Sequence, residues 1–150
     1  SSSKARYFPR LALAVMSIAT RQKISLPYEL IEPYLMDEDL APSVAEALEF
    51  VVDPRTQPSL LRLLEHSDES IAQKAAVSLG RTADVTVVHA LLQRADGILV
   101  GAPLKHAVRS AVALLQSRSN KESQGGLTVA KDELEGGLSS PQTDKEPLEE

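Results

Sequence analysis

The stretch 68-DESIAQKAAVSLGRTAD-84 contains the pattern that decides the fold of this chain. Its apolar residues follow the spacing i, i+3, i+4 and i+7, which places them on one face of an α-helix; they are Ala72, Ala75, Ala76 and Leu79. Asp68 precedes the helix as a good N-cap residue, and Gly80 follows the apolar face where many helices end. Alanines on that face let other helices approach closely. The stretch therefore predicts a helix that packs tightly against its neighbours.

The same helical face occurs twice more, once on each side of this stretch: Val44, Ala47, Leu48 and Val51, and then Val108, Ala111, Val112 and Leu115. Each of the three is preceded by two apolar residues, three variable residues and an Asp: 34-YLMDED-39, 63-LLEHSD-68 and 91-LLQRAD-96. These shorter segments are 29 and 28 residues apart, and each final Asp is a suitable N-cap for the helix that follows. A repeated helix pair buries its apolar faces by stacking on its neighbours. The sequence predicts an all-α fold, a short right-handed α-solenoid of about seven helices.

Charge divides the chain of 150 residues into three predicted parts. Residues 1–24 form a basic segment with a first helix, since the first 23 residues carry five basic groups and no acid. Residues 25–118 hold the repeats. Residues 119–150 are predicted to be a disordered acidic tail, because their acidic composition accounts for the net charge of −5 and cannot bury a core. The start at Ser-Ser-Ser without Met leads us to expect a fragment of a longer protein or a tag remnant.

Composition argues against several classes of function. The chain has no cysteine, which excludes disulfides, a thiol nucleophile and Cys-ligated zinc, and fits a cytoplasmic location. Its three histidines lie in different repeats, so we expect no metal site, no cofactor and no catalytic residue. The second-helix faces mix basic, acidic and neutral side chains, which argues against nucleic acid as a partner. The longest apolar run, residues 11–19, is about half a bilayer span, so we expect no transmembrane helix. The basic first helix could lie on an anionic membrane, but residues 11–19 are apolar on nearly every side, which favours burial, and we do not expect membrane binding.

Residues 68–84 resemble a HEAT-like repeat of the phycobilisome-lyase type. That pattern runs Asp, two or three residues, Val-Arg, two residues, Ala, then Ala-Leu-Gly-Arg and a second Asp, and it is matched by Ala75, Ala76, Leu79, Gly80, Arg81 and Asp84. Arg109 takes the Val-Arg position in the last repeat, whereas Gln73 and Ala45 replace that Arg in the others. The resemblance spans about residues 25–118. It implies a solenoid that serves as a non-enzymatic protein-interaction scaffold; the alternative is a bilin lyase or isomerase subunit acting on a chromophore-bearing protein.

The segment 97-GILVGAP-103 interrupts the repeat, because the second-helix spacing there is 36 residues instead of 28. Two interpretations stay open: Ile98, Leu99 and Val100 cover the last layer of the core, or they contact a protein partner of unknown identity. Pro103 predicts that the next helix begins near Leu104. The predicted partner surface combines this segment with the second-helix face: Gln73, Lys74, Val77, Arg81, Ile98, Leu99, Val100, Lys105 and Arg109.

The tail contains a short internal repeat, 125-GGLT-128 and 136-GGLS-139. Two copies of one short pattern in an acidic segment suggest tandem linear motifs. The hypothesis concerns Gly125, Gly126, Leu127, Thr128, Gly136, Gly137, Leu138 and Ser139.

Overall fold

A computed structural model describes the backbone of residues 8–138 and the side chains of residues 8–123. The described backbone is all-helical and contains no strand, which confirms the predicted all-α class. The α-helices are α1 (Pro9–Gln22), α2 (Tyr28–Ile31), α3 (Ala41–Leu48), α4 (Thr56–Leu64), α5 (Glu69–Thr82), α6 (Val88–Ala95) and α7 (Ala102–Leu138). Two 3₁₀ segments, Glu32–Tyr34 and Val85–Val87, extend α2 and precede α6.

The predicted apolar faces form the core of the first compact unit, which ends at Leu115. Every predicted face residue on α3 and α5 is buried, and Val51, which the sequence placed on the first of these faces, is buried just after the end of α3. On α7 only Val112 remains partly exposed. The first helices of the pairs add Ile31, Leu60 and Leu91, which are fully buried. Helix α3 packs against α1 and α5, and α4 packs against α3, α5 and α6. The helical periodicity read from the sequence therefore identifies the core correctly.

Gly80 does not end its helix as the sequence predicts. Helix α5 continues to Thr82, and no described glycine has a positive φ. Instead, a Cβ atom built on Gly80 would lie 2.7 Å from Ala111 Cα and 2.8 Å from Ala111 Cβ. Glycine is therefore required at this position because the backbones of α5 and α7 approach each other too closely for a side chain between them.

Of the three predicted N-caps, only Asp68 acts as one. Its carboxylate accepts a hydrogen bond from the Ser70 N–H at 2.9 Å, and bonds from the hydroxyl and N–H of Ser70 lower the pKa of Asp68. Helix α3 instead begins after Leu40 without a side-chain cap, and Asp96 stands at the C-terminus of α6. A repeated Asp is thus not enough, because a cap also needs the extended backbone that Asp68 adopts before its helix.

Prolines shape the ends of two helices. Helix α2 has only four residues and continues as a 3₁₀ segment, because Pro33 cannot donate the hydrogen bond of an α-helical turn. Helix α7 begins at Ala102, ahead of the predicted Leu104. Pro103 lies in its first turn, where the missing N–H has no partner within the helix in any case.

The second unit begins at Gln116. The described backbone of this unit is helical as far as Leu138, and the disorder that composition predicts from residue 119 onward stays a prediction. The rest of the predicted tail, residues 139–150, lies outside the described residues.

Candidate functional site

Four predicted partner-contacting residues lie together on the exposed side of α5: Gln73, Lys74, Val77 and Arg81. With side chains from α1, from α3 and from the turns after them, they line a shallow groove, here called the α5 groove. Its remaining lining residues are Thr20, Lys23, Glu46, Glu49, Phe50 and Ser78. The helical spacing of the four α5 residues is enough to bring them together.

Ion pairs between α5 and the α3 region border the α5 groove. Lys74 Nζ lies 2.5 Å from Glu46 Oε2, and Arg81 Nη1 lies 3.1 Å from Glu49 Oε2. Partly exposed pairs of this kind contribute about 0–1 kcal/mol each to stability. The two pairs neutralise four of the five charged side chains of the lining, and Lys23 leaves the groove with one positive charge in excess.

Two apolar side chains lie among the mostly polar lining of the α5 groove. Val77 is exposed and Phe50 is partly exposed. Beside them, the Ser78 hydroxyl donates a hydrogen bond of 2.8 Å to the Ala45 carbonyl, which ties α5 to α3. The groove thus combines two apolar side chains with charged and polar ones, a mixture that occurs on protein-binding surfaces.

The three apolar residues of the segment before α7 do not all follow the same one of the two interpretations of the sequence. Val100 is partly buried and packs against the core, as the core-covering interpretation requires. Ile98 and Leu99 are 97% and 96% exposed, so that interpretation is wrong for them. The Gly101 N–H donates to Glu69 Oε1 at 3.0 Å, which anchors the C-terminal end of the segment to the start of α5. The structure therefore presents two adjacent aliphatic side chains on an anchored loop.

The other two predicted site residues lie on α7. Lys105 is partly buried and Arg109 is exposed, and neither lines the α5 groove. The structure thus brings four of the nine predicted residues into one groove, and the others lie on the loop and on α7. Of the residues in the tail hypothesis, those from Gly125 to Leu138 belong to the backbone of α7, and Ser139 lies outside the described residues. That hypothesis stays a prediction.

Sequence reasoning missed an apolar groove of about 220 Å³ between α1 and the α2 region. We call it the α1 groove; it is lined by Phe8, Leu11, Ala12, Val15, Met16, Leu26, Leu30 and Tyr34. Helix α1 is apolar on nearly every side, and the sequence therefore indicated burial. The available signal was a second stripe of apolar residues at positions 8, 11, 15 and 18, which alternates steps of three and four.

A second missed feature is a small cavity of about 110 Å³ between the acidic turn after α2 and the end of α4. His66 Nδ1 accepts a hydrogen bond from the Asp68 N–H at 2.9 Å, so in the neutral ring Nε2 carries the proton. Nε2 then donates to Glu38 Oε1 at 2.9 Å. The His66 side chain therefore links the segment after α4 to the acidic turn after α2.

Within the part of the chain that the structure describes, no group of three or more metal-ligating side chains comes together. None of the helices there is both long enough and apolar enough to cross a bilayer. No family model matches the chain, and neither a curated protein nor a solved structure matches it.

Proposed function

We propose that this chain is a non-enzymatic protein-interaction module in which HEAT-like helix pairs stack as a right-handed α-solenoid. In this arrangement the pairs are α2 with α3, α4 with α5, and α6 with α7, and α1 is the second helix of an earlier pair. Each pair contacts only its neighbours along the chain. A cytoplasmic location is part of the proposal and is supported by the lack of cysteine.

The offset of the side-chain bonds between pairs supports this stacking. Lys74 pairs with Glu46 and His66 with Glu38, each across 28 residues. Further bonds span 26 to 33 residues: Glu29 to Arg55, Tyr28 to Ser59, Glu69 to Gly101 and Ala45 to Ser78. Successive units of a solenoid meet at offsets close to one repeat length.

Two sets of contacts join the first helices of successive pairs. The Arg55 guanidinium donates to Glu29 at 2.7 Å and lies 4.3 Å from the centre of the Tyr28 ring, which fastens the start of α4 to α2. Arg94, near the end of α6, donates to the carbonyls of Leu64 and His66 at 2.8 and 3.0 Å, where α4 leaves carbonyls without helical partners. Each first helix is thereby tied to the next one.

The proposed partner surface consists of Ile98 and Leu99 together with the α5 groove. The observation that carries it is the exposure of those two neighbouring aliphatic side chains, 97% and 96%, on a loop anchored at Gly101. When a partner covers these aliphatic side chains, their apolar surface is removed from water. This burial contributes about 25 cal/mol of binding free energy per Å² of apolar surface. The groove supplies the charged border that orients such a partner.

The test measures which proteins of a cell extract are captured by the unchanged chain and by two variants, each immobilised. A double variant with Ile98→Ser and Leu99→Ser should lose the proteins that the unchanged chain retains, and its melting temperature should stay the same. Val52→Ser is the matched control, because Val52 is 93% exposed and lies outside this surface. Equal capture by all three chains would refute the surface. A lasting shift in bilin absorbance on mixing with the chain would support the lyase-type alternative instead.

A further inference from the structure

The two methionines are the chain's only sulfur-containing residues, because it has no cysteine, and the structure places them in opposite surroundings. Met16 is 2% exposed and belongs to the buried core. Met36 is 73% exposed in the turn that follows α2 and its 3₁₀ extension. An oxidant dissolved in water therefore reaches the sulfur of Met36 and is kept from the sulfur of Met16.

The sulfur of Met36 is in contact with an arginine of another helix. Arg62, in the last turn of α4, donates a hydrogen bond of 3.1 Å from Nη2 to Met36 Sδ, across 26 residues. A thioether sulfur is a weak acceptor, and this single bond leaves one of its two lone pairs available for reaction. The contact therefore joins the turn after α2 to α4 only weakly, and it places a cationic donor beside the atom that an oxidant attacks.

The surroundings of Met36 can accommodate a polar group. Met36 lines the cavity of about 110 Å³ beside the end of α4, together with the apolar Leu35 and Leu63. The same lining contains four charged or ionisable side chains: Asp37, Glu38, Arg62 and His66. An oxygen atom added to Met36 would therefore meet water and polar groups, whereas one added to Met16 would be buried in the apolar core without a partner.

We propose that Met36 is a site of reversible oxidation by hydroperoxides, and that Arg62 holds the oxygen of the resulting sulfoxide. In this reaction a lone pair of the sulfur attacks one peroxide oxygen, and the S–O bond forms as the O–O bond breaks. With hydrogen peroxide, the displaced hydroxide takes up the proton of the transferred oxygen and leaves as water. The sulfur loses two electrons, and the peroxide gains them.

The expected consequence is a firmer link between the turn after α2 and α4. The sulfoxide oxygen carries partial negative charge, so the bond from the Arg62 guanidinium becomes charge-assisted. Rotation about the flexible methionine side chain brings the oxygen to Arg62 without a movement of the backbone. The two nearby carboxylates already accept hydrogen bonds, Glu38 from His66 and Asp37 from the Asp39 N–H.

The modification is reversible, because methionine sulfoxide reductases restore the thioether. In that step thiols supply two electrons, and the oxygen leaves as water. None of the residues involved belongs to the partner surface proposed above.

The first test follows oxidation of the full chain by hydrogen peroxide. Mass spectrometry of peptides from successive time points measures the rate at each methionine. Met36 should gain one oxygen at least tenfold faster than Met16, and the two reductases that act on the two sulfoxide epimers should together remove it. Equal rates at the two methionines, faster oxidation of Met16, or a sulfoxide that the reductases leave in place would overturn the assignment.

The second test measures whether Arg62 holds the sulfoxide oxygen. Oxidation of Met36 alone should raise the melting temperature of the unchanged chain by roughly 2 °C, the size expected for one partly exposed bond to a charged group. Arg62→Ala should abolish this rise. Arg109→Ala is the matched control, because it removes the same charge from an exposed position on α7 and should keep the rise. Met36→Leu should show no change after the same treatment.

Nuclear magnetic resonance gives a readout that a general change in stability does not move. In the isotopically labelled chain, oxidation of Met36 should shift the guanidinium signals of Arg62 and slow their exchange with water, and it should leave those of Arg109 unchanged. Unaffected Arg62 signals, or the same change in melting temperature with and without the Arg62 side chain, would overturn the role of Arg62. A lower melting temperature of the oxidised, otherwise unchanged chain would overturn the firmer link.

Discussion

Replacing Gly80 with alanine should destabilise the protein, although the same change in most helices stabilises it. Alanine is favoured over glycine inside a helix by about 1 kcal/mol. At this position, however, the new Cβ would lie 2.7 Å from the backbone atom Ala111 Cα. Carbon atoms in contact rest about 3.5–4.0 Å apart, so α5 and α7 would have to separate by about 1 Å. A side-chain rotation cannot relieve a contact with the backbone.

Overpacking of a core typically costs about 1–3 kcal/mol, and a backbone contact belongs at the upper end of that range. After the gain in helix propensity is subtracted, Gly80→Ala should lower the free energy of unfolding by about 2 kcal/mol. Urea denaturation followed by far-ultraviolet circular dichroism measures this difference. Unchanged or increased stability would refute the close approach of α5 and α7.

Two controls make the result specific. Val77 lies on the exposed side of the same helix, so Val77→Ala should be more stable than Val77→Gly by about 1 kcal/mol, the ordinary order of these residues. Combining Gly80→Ala with Ala111→Gly removes one of the two close contacts. The double variant should therefore lose less stability than the sum of the single changes.

The remaining predictions concern the core, the loop, the cap and the tail. Leu79→Ala should lower the free energy of unfolding by about 2–5 kcal/mol in urea denaturation, because Leu79 is fully buried; a loss below about 1 kcal/mol would contradict its position. Val100→Ser should destabilise the chain more than Ile98→Ser does, since only Val100 packs against the core, and equal losses in the same assay would contradict this division. The Asp68 carboxylate has its pKa lowered by Ser70, so its stabilising effect is complete above the unfolded value of about 3.9 and is lost as the pH falls through the folded value. The melting temperature should therefore fall on acidification below about pH 4, and less steeply in Asp68→Asn; an equal slope would refute the role of this cap. Removal of residues 120–150 should leave the melting temperature nearly unchanged, because the first compact unit ends at Leu115, and a fall of several degrees would show that the tail stabilises that unit.

The sequence predicts the buried faces well because burial follows helical periodicity. Ala72, Ala75, Ala76 and Leu79 are all fully buried, as their spacing requires. The role of Gly80 could not be predicted, since a glycine at a helix end and a glycine at a close helix crossing look the same in sequence. Only the distance to Ala111 distinguishes them.

The candidate surfaces were predictable only in part. The α5 groove follows from helical spacing, whereas the exposure of Ile98 and Leu99 depends on the path of a loop, which no periodic pattern specifies. The α1 groove was missed because an apolar helix resembles a buried one in sequence. Whether such a helix is covered on every side depends on which helices stand next to it.

The stacking of helix pairs in chain order underlies the proposed function, and nuclear Overhauser contacts between side chains test it most directly. In the isotopically labelled chain, contacts between corresponding helices of successive pairs, such as α3 with α5 and α2 with α4, should fall at offsets close to one repeat length, as for Ala45 with Ser78 and Tyr28 with Ser59. The close approach of α5 and α7 should also appear as contacts between Gly80 and Ala111. Contacts between α1 and α6, at more than twice that offset, would instead indicate a closed bundle and contradict the stacked arrangement.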